Sequence, residues 1–293
     1  MIHFANNSNK SVIGVFLGGK ILSVGKVQNG EIISVNTKTI DNQANEATIL
    51  KELVNAISEV FDENITGIGI GVPSLVDVRK GIVYNVQNIP SWGEVHLKDI
   101  IENKFNVRVY VNNDANCFAV GEKYFGKAQN YEHIVGLIIG TGLGAGIITN
   151  GKLYSGENCG AGEYGSIEYK DHDYEHYLTD AYIHERYGIK SEMLIQRAEK
   201  KDKIALNIFA DYGINLGNVI KTILYTADPQ IIIIGGILSK AYPFFEKDMW
   251  KRIHTFRYKH AIANLRVECS DNPNIAVLGA AALCQDANNK ILV

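Results

Sequence analysis

Residues 140–151 read GTGLGAGIITNG, and the residues after the glycines decide the fold. The stretch from Gly140 to Ala145 matches the dinucleotide fingerprint G-x-G-x-x-A in form. That fingerprint must open a helix. Here Ile147, Ile148 and Thr149 lead instead into Asn150-Gly151, a type I′ hairpin signal. The segment is therefore a glycine turn within a β-hairpin, and a dinucleotide-binding fold is excluded. Two readings of Gly140, Thr141 and Gly142 stay open. Their backbone N–H groups face a phosphate, with the Thr141 hydroxyl as a further donor, or the turn is a plain tight hairpin.

Working outward, residues 134–139 (IVGLII) and 144–149 read as strands, and 152–155 comes after the turn. The N-terminal half opens in a similar way. Residues 12–17 (VIGVFL) form a strand ending at Gly18-Gly19, and strands 21–27 and 31–39 join at Asn29-Gly30. Between Glu46 and Phe61 the apolar residues Ile49, Leu50, Leu53, Val54, Ile57, Val60 and Phe61 recur at helical spacing. Next come a strand at 65–72, a helix at 97–105, a strand at 107–112 and a helix at about 115–125. The second half continues with helical segments between about 174 and 225, a strand from Gln230 to Ile234, a helix at 241–253, a strand at 264–269 and a helix at 276–285. Each half thus starts with a glycine-turned ribbon and goes on with alternating helices and strands. The expectation is an α/β protein of two lobes with a cleft between them. Residues 1–116 would form the N-terminal lobe and 117–276 the C-terminal lobe. The last helix, about 277–293, would pack back on the first.

Composition narrows the partners. The 293 residues are 46% hydrophobic and 21% charged, with 28 glycines, 5 prolines and a net charge of −3. That is enough chain for a well-buried core, and without a basic cluster nucleic acid is not expected. The cysteines at 117, 159, 269 and 284 lack metal-ligand spacing and suggest no disulfide framework. No apolar run reaches the ~18 residues of a membrane span, and the opening MIHFANNSNK lacks a signal-peptide core. A cytoplasmic protein with no membrane partner is expected.

Three further segments carry candidate chemistry. In VNNDANCFAVGE (111–122) Asp114 falls at a strand end and a helix start. It reads as an N-cap, or as a carboxylate that accepts the proton of an incoming hydroxyl, since ligands bind at strand C-termini in open α/β sheets. One oxygen could do each. In GENCGAGEYGS (156–166) Glu163 is a solvated loop acid or a ligand for two vicinal sugar hydroxyls. In IIIIGG (231–236) the pair Gly235-Gly236 is a tight strand-to-helix turn or makes room for a nucleoside.

Taken in order, these segments resemble the ROK family of sugar kinases and repressors. The resemblance is strongest in Gly69-Ile70-Gly71-Val72-Pro73, Asn88-Ile89-Pro90-Ser91-Trp92, Asn112-Asn113-Asp114-Ala115-Asn116, Gly140–Gly146, Gly160-Ala161-Gly162-Glu163 and Gly235-Gly236. It implies the actin-like ATPase fold, of ribonuclease H-like type. It also implies an ATP- and Mg2+-dependent kinase acting on a hexose or N-acetylhexosamine. Asp114 would be the general base, and Asn113 and Glu163 would hold the sugar. Gly140, Thr141 and Gly142 would face the nucleotide phosphates, and Gly235 and Gly236 would border the adenosine pocket. A homodimer is what the family suggests.

Three departures stand out. The family's phosphate loop D-x-G-G-T is Phe16-Leu17-Gly18-Gly19-Lys20 here. The carboxylate that serves magnesium is thus missing. Gly18, Gly19 and Lys20 remain candidates for the nucleotide phosphates, with Lys20 as a point charge. The Gly-His after the glutamate is Gly165-Ser166. The thiolate-rich zinc run is replaced by EYKDHDYEHYLTD (168–180), so no structural zinc is expected. His172 and His176 read as ordinary polar histidines, and Glu175 as a second sugar carboxylate. The alternative function is sugar binding with weak or no kinase activity. A DNA-binding repressor is not expected, because about 11 residues before the first strand are too few for a helix-turn-helix.

Overall fold

The computed structural model describes residues 10–86 and 88–286. The first nine residues of the opening stretch and residues 287–293 of the expected last helix lie outside the described residues.

The N-terminal half contains β1 (Ser11–Gly18), β2 (Ile21–Gln28), β3 (Glu31–Thr39), α1 (Glu46–Ser58), β4 (Ile65–Val72), β5 (Leu75–Asp77), β6 (Ile82–Tyr84), β7 (Glu94–Val95), α2 (Leu97–Phe105) and β8 (Arg108–Asn113). Next come α3 (Asp114–Phe125), β9 (Ile134–Ile139), β10 (Leu143–Thr149), β11 (Lys152–Tyr154), β12 (Glu168–Tyr169) and β13 (His172–Asp173). The chain continues through α4 (Tyr174–Leu178), α5 (Asp180–Tyr187), α6 (Ser191–Glu199), α7 (Lys203–Thr226), β14 (Ile231–Gly235), α8 (Tyr242–Ile253), α9 (Lys259–Asn264), β15 (Arg266–Cys269) and α10 (Ile275–Asp286).

Two five-stranded sheets share one plan. The first has the order β3-β2-β1-β4-β8 and the second β11-β10-β9-β14-β15. In each, the three ribbon strands are antiparallel, and the later two join the central strand in parallel. The ribbon turns arise from local chemistry. Asn29 and Gly30 stand at φ 51° and 84°, and Asn150 and Gly151 at 52° and 72°, the left-handed pair that a type I′ turn requires. The parallel strand IIIIG is buried throughout, as a strand covered on both faces must be.

Between the sheets lie α3 and α10, which pack closely through small residues. A Cβ on Gly279 would stand 1.7 Å from Cys117 O, and one on Gly121 would stand 2.1 Å from Ile275 O. α10 rests on the first sheet, where a Cβ on Gly69 would meet Ala280 O at 1.7 Å. α3 rests on the second, where a Cβ on Gly146 would meet Ala115 O at 2.5 Å. This helix pair brings the N-terminus of α3 to the boundary between the sheets.

The sequence pattern did not reveal β5, β6 and β7, which form a small separate sheet. With two or three residues each they are too short to show an alternation. Residues 259–264 form α9, so the strand expected at 264–269 begins only at Arg266.

Candidate active site

Asp114 is the first residue of α3, directly after β8. The helix cap is not Asp114 but its neighbour. Asn113 Oδ1 accepts from Ala115 N at 2.9 Å and Asn116 N at 3.2 Å. The Asp114 carboxylate accepts from Ala115 N at 2.8 Å, a donor that Asn113 also satisfies. Asp114 is therefore not needed to hold the helix end. Burial pushes its pKa up to about 6, against the lowering effect of the Ala115 and Asp114 amides, and the Glu163 charge adds to the rise.

Asn113 is committed to structure. Besides the cap, its Nδ2 donates to Ser74 O at 3.3 Å, leaving one amide proton for a ligand. The cap is braced from below. Buried Asn112 accepts through Oδ1 from Asn113 N at 2.8 Å, Asn116 Nδ2 at 3.0 Å and Cys159 Sγ at 3.2 Å. Cys159 belongs to the loop that leads to Glu163, so this contact ties that loop to the start of α3. Cys117 lies beneath; burial, then the Asp114 and Cys159 charges, push its thiol pKa up. The sequence reading missed the Asn112–Asn116–Cys159 brace. Its only signal was the i, i+4 spacing of the two asparagines around Asp114.

Glu163 comes after Gly162, which has φ +100° and whose Cβ would stand 2.1 Å from Ala145 O. Only glycine lets the loop run this close to β10. Although much of Glu163 is exposed, withdrawal of its carboxyl from water, and then the Glu175 charge, raise its pKa. Glu175 Oε2 accepts from Leu143 N at 2.9 Å, at the end of the glycine turn. Asp114, Glu163 and Glu175 thus form a row of carboxylates in which each senses the next.

The glycine turn is a hairpin turn between β9 and β10. Gly140 N donates to Gly142 O at 3.0 Å, and Asp180 N donates to Gly140 O at 2.8 Å. Thr141 is exposed at its tip. Gly235-Gly236 closes against the same turn. A Cβ on Gly236 would stand 2.2 Å from Ile139 O, and one on Gly235 would stand 2.6 Å from the Phe118 ring. Protein packing therefore demands both glycines.

At the other sheet, Phe16 pairs with Gly71, and a Cβ on Gly71 would lie 3.4 Å from Asp114 Cα. Paired residues of parallel strands present their side chains to one face, so Phe16 is on the Asp114 side of β1. Its ring lies over Gly18, 2.6 Å from where a Cβ would stand. Gly19 has φ +66°, and exposed Lys20 donates its N–H to Gly18 O at 2.7 Å. Phe16 offers no oxygen to the Mg2+ that accompanies ATP. Among the described residues no three His, Cys, Asp or Glu side chains gather to hold a metal ion. Among the described residues, the turn at Gly18-Gly19-Lys20 supplies no carboxylate to that ion.

Residues 168–187 form an aromatic collar behind Glu175. Tyr169 stacks on Tyr174 with centroids 4.4 Å apart, and His172 stacks on His176 at 3.8 Å. Tyr177 donates to Asp171, and Asp173 caps α4 at His176 N, 2.7 Å away. The histidines are therefore members of a ring stack. The signal was five tyrosines between 169 and 187. A five-residue helix has no stability of its own, and this collar fixes it.

Among the described residues no helix is long and apolar enough to cross a membrane. The ROK family model matches residues 12–287. The glucokinase of Thermotoga maritima is 28% identical to this chain over 94% of it and 97% of its own length. The xylose repressor of Bacillus spizizenii is 34% identical over 61% of this chain, which spans 50% of the repressor. The crystal structure of a ROK family glucokinase from Streptomyces griseus in complex with glucose and AMPPNP superposes with a TM-score of 0.81 at 25% identity, over 93% of this chain and 98% of that one. The chain has the actin-like ATPase fold of the ROK sugar kinases, and it belongs to the ROK family.

Proposed function

We propose that the chain is an ATP-dependent kinase of a hexose or N-acetylhexosamine, with Asp114 as general base. The observation that carries this reading is the division of labour at the start of α3. Asn113 caps the helix, which leaves the Asp114 carboxylate, with a pKa of about 6, for a substrate proton. A base poised just below neutral pH is ionised when needed and still takes a proton readily. Sugar and nucleotide binding in the Streptomyces griseus relative supports the same reading.

In this mechanism the sugar lies in the cleft beside Asn113, Glu163 and Glu175. Asp114 takes the hydroxyl proton as the oxygen attacks the γ-phosphorus in line. The turn at Gly140, Thr141 and Gly142 faces the nucleotide phosphates, with Gly18, Gly19 and Lys20 opposite and Gly235 and Gly236 beside the nucleoside. Lys20 offers a compact positive charge. Most of the catalysis is positioning and charge stabilisation. The lobes, 1–116 and 117–276, close on α3 and α10 to exclude water. The test is ADP release with ATP, Mg2+ and a panel of hexoses and N-acetylhexosamines. Sugar-dependent ADP release that disappears in Asp114→Asn is expected.

A second reading is favoured by one observation. Phe16 fills the Asp114 side of β1 with a hydrocarbon ring, which suits a sugar-binding protein with little transfer activity. In that case the same panel gives sugar binding and no ADP.

A further inference from the structure

Behind the collar lies a cavity that phosphoryl transfer in the cleft does not use. Its volume is ≈ 260 Å³, and Lys170, Tyr177, Tyr182, Tyr187, Asp211 and Asn215 supply its polar and aromatic lining. Tyr212 and three isoleucine side chains complete it. α4 separates this cavity from the cleft. Glu175 and Tyr177 are two residues apart on that helix, about 200° around its axis. Glu175 reaches the glycine turn on one side, while Tyr177 lines the cavity on the other.

The lining has a definite chemistry. The Lys170 ammonium is fixed by Asn215 Oδ1 at 2.9 Å and sits 4.6 Å from the Tyr177 ring centroid. Tyr182 packs edge-on to Tyr177 at 5.3 Å and to Tyr187 at 6.4 Å. Asp211 lies close enough to Tyr187 to help raise its phenol pKa, after burial and Tyr182. One ammonium and one carboxylate give the cavity no net charge, which disfavours selection of a phosphate or a polyamine. Tyrosine faces offer flat apolar area for the C–H face of a ring. The ammonium, carboxylate, amide and phenols offer donors and acceptors for hydroxyls. The volume lies just below the usual range for drug-sized ligands and suits a single small ring.

We propose that this cavity is a second saccharide site, which takes a neutral monosaccharide on the face of α4 opposite the cleft. It does not depend on phosphoryl transfer and stands if the protein proves to be a binder only. The experiment is calorimetric titration with D-glucose and D-xylose of Glu163→Ala, a variant of the cleft. Each titration is repeated in Glu163→Ala with Asp211→Ala or Tyr187→Leu added. Both added changes are at exposed positions, and thermal unfolding checks that they fold. Residual binding of at least one sugar to Glu163→Ala is expected. Its affinity should fall about tenfold when Asp211 or Tyr187 is changed, the scale of losing one charge-assisted hydrogen bond or stacking face. No residual binding of either sugar overturns the proposal. So does residual binding that neither cavity substitution weakens.

Discussion

The two sheets are built alike and end in different turns. Both have the order ribbon, centre, two parallel strands, and both send a glycine turn from the central strand into its antiparallel neighbour. In the second sheet the last paired residues are Ile139 and Leu143, so the turn is Gly140-Thr141-Gly142. In the first they are Gly18 and Ile21, and the turn is Gly19-Lys20. Ile138 stands two residues before Gly140, and Phe16 two residues before Gly18. The Phe16 ring folds over its own turn, while the second turn is braced from outside by Glu175 and Asp180. Topology places both turns; the side chains beside them decide what each can do.

Asp114 stands where the two sheets meet, and removing its charge should have the largest effect. With Asp114→Asn, turnover should fall ~10²–10⁴-fold while sugar affinity changes little. The native pH profile should rise through about pH 6 and level off above it, tracking the Asp114 carboxyl. Stability should move the other way. A carboxyl whose pKa is higher folded than unfolded stabilises the fold below about pH 4, and this contribution is lost as pH rises through about 6. At pH 7.5 the native protein holds a partly desolvated charge that the variant lacks. Urea unfolding should show Asp114→Asn more stable by about 1–3 kcal/mol at pH 7.5, with the gap closing near pH 4. Equal stability at both pH values would mean that burial does not perturb this carboxyl.

The next effect would make the first turn resemble those of the family's kinases. Phe16→Asp with Lys20→Thr exchanges a ring for a carboxylate and removes the point charge that could pair with it. Turnover should rise about tenfold or more, the scale of one added charge contact, and its dependence on Mg2+ should sharpen. If the native enzyme already turns over at ~1–100 s⁻¹ and the double variant folds without any gain, the turn works without a carboxylate at position 16.

The fold was legible wherever the chain signals its own geometry. Asn-Gly pairs marked two ribbon turns, and the run IIIIGG marked a largely apolar strand. The residues after GTGLGAG ruled out the helix of a dinucleotide fold. Asp114 was legible as a residue at a strand-to-helix junction. Its task there was not, because Asn113 and Asp114 are both good caps and only coordinates show which one accepts the helix amides. The glycines at 235 and 236 read as a tight turn or as room for a nucleoside, and the close approach of Ile139 O and Phe118 accounts for the turn. The collar was illegible for another reason. Ring stacking among Tyr169, Tyr174, Tyr177, His172 and His176 joins a hairpin to a helix, and no single periodicity describes that.

The smallest effect tests the link between the second turn and the sugar carboxylates. A Cβ on Gly142 would stand 3.1 Å from Glu175 Oε2, the oxygen that accepts the Leu143 amide. The backbone of Gly142 is not in the left-handed region, so Gly142→Ala adds no backbone strain and acts only through this contact. The flexible end of Glu175 should give way by a few tenths of an ångström and lengthen its hydrogen bond. A weakened bond to a charged acceptor costs about 1 kcal/mol. If the turn and Glu175 work as one unit, that loss should appear as an approximately fivefold rise in KM for both sugar and ATP. If the turn serves the nucleotide alone, KM for ATP rises and KM for the sugar stays put. Steady-state kinetics with each substrate varied in turn separates the two. Tyr177→Phe removes the collar's bond to Asp171 and loosens α4, which carries Glu175, from behind, and should raise the sugar KM about twofold to threefold.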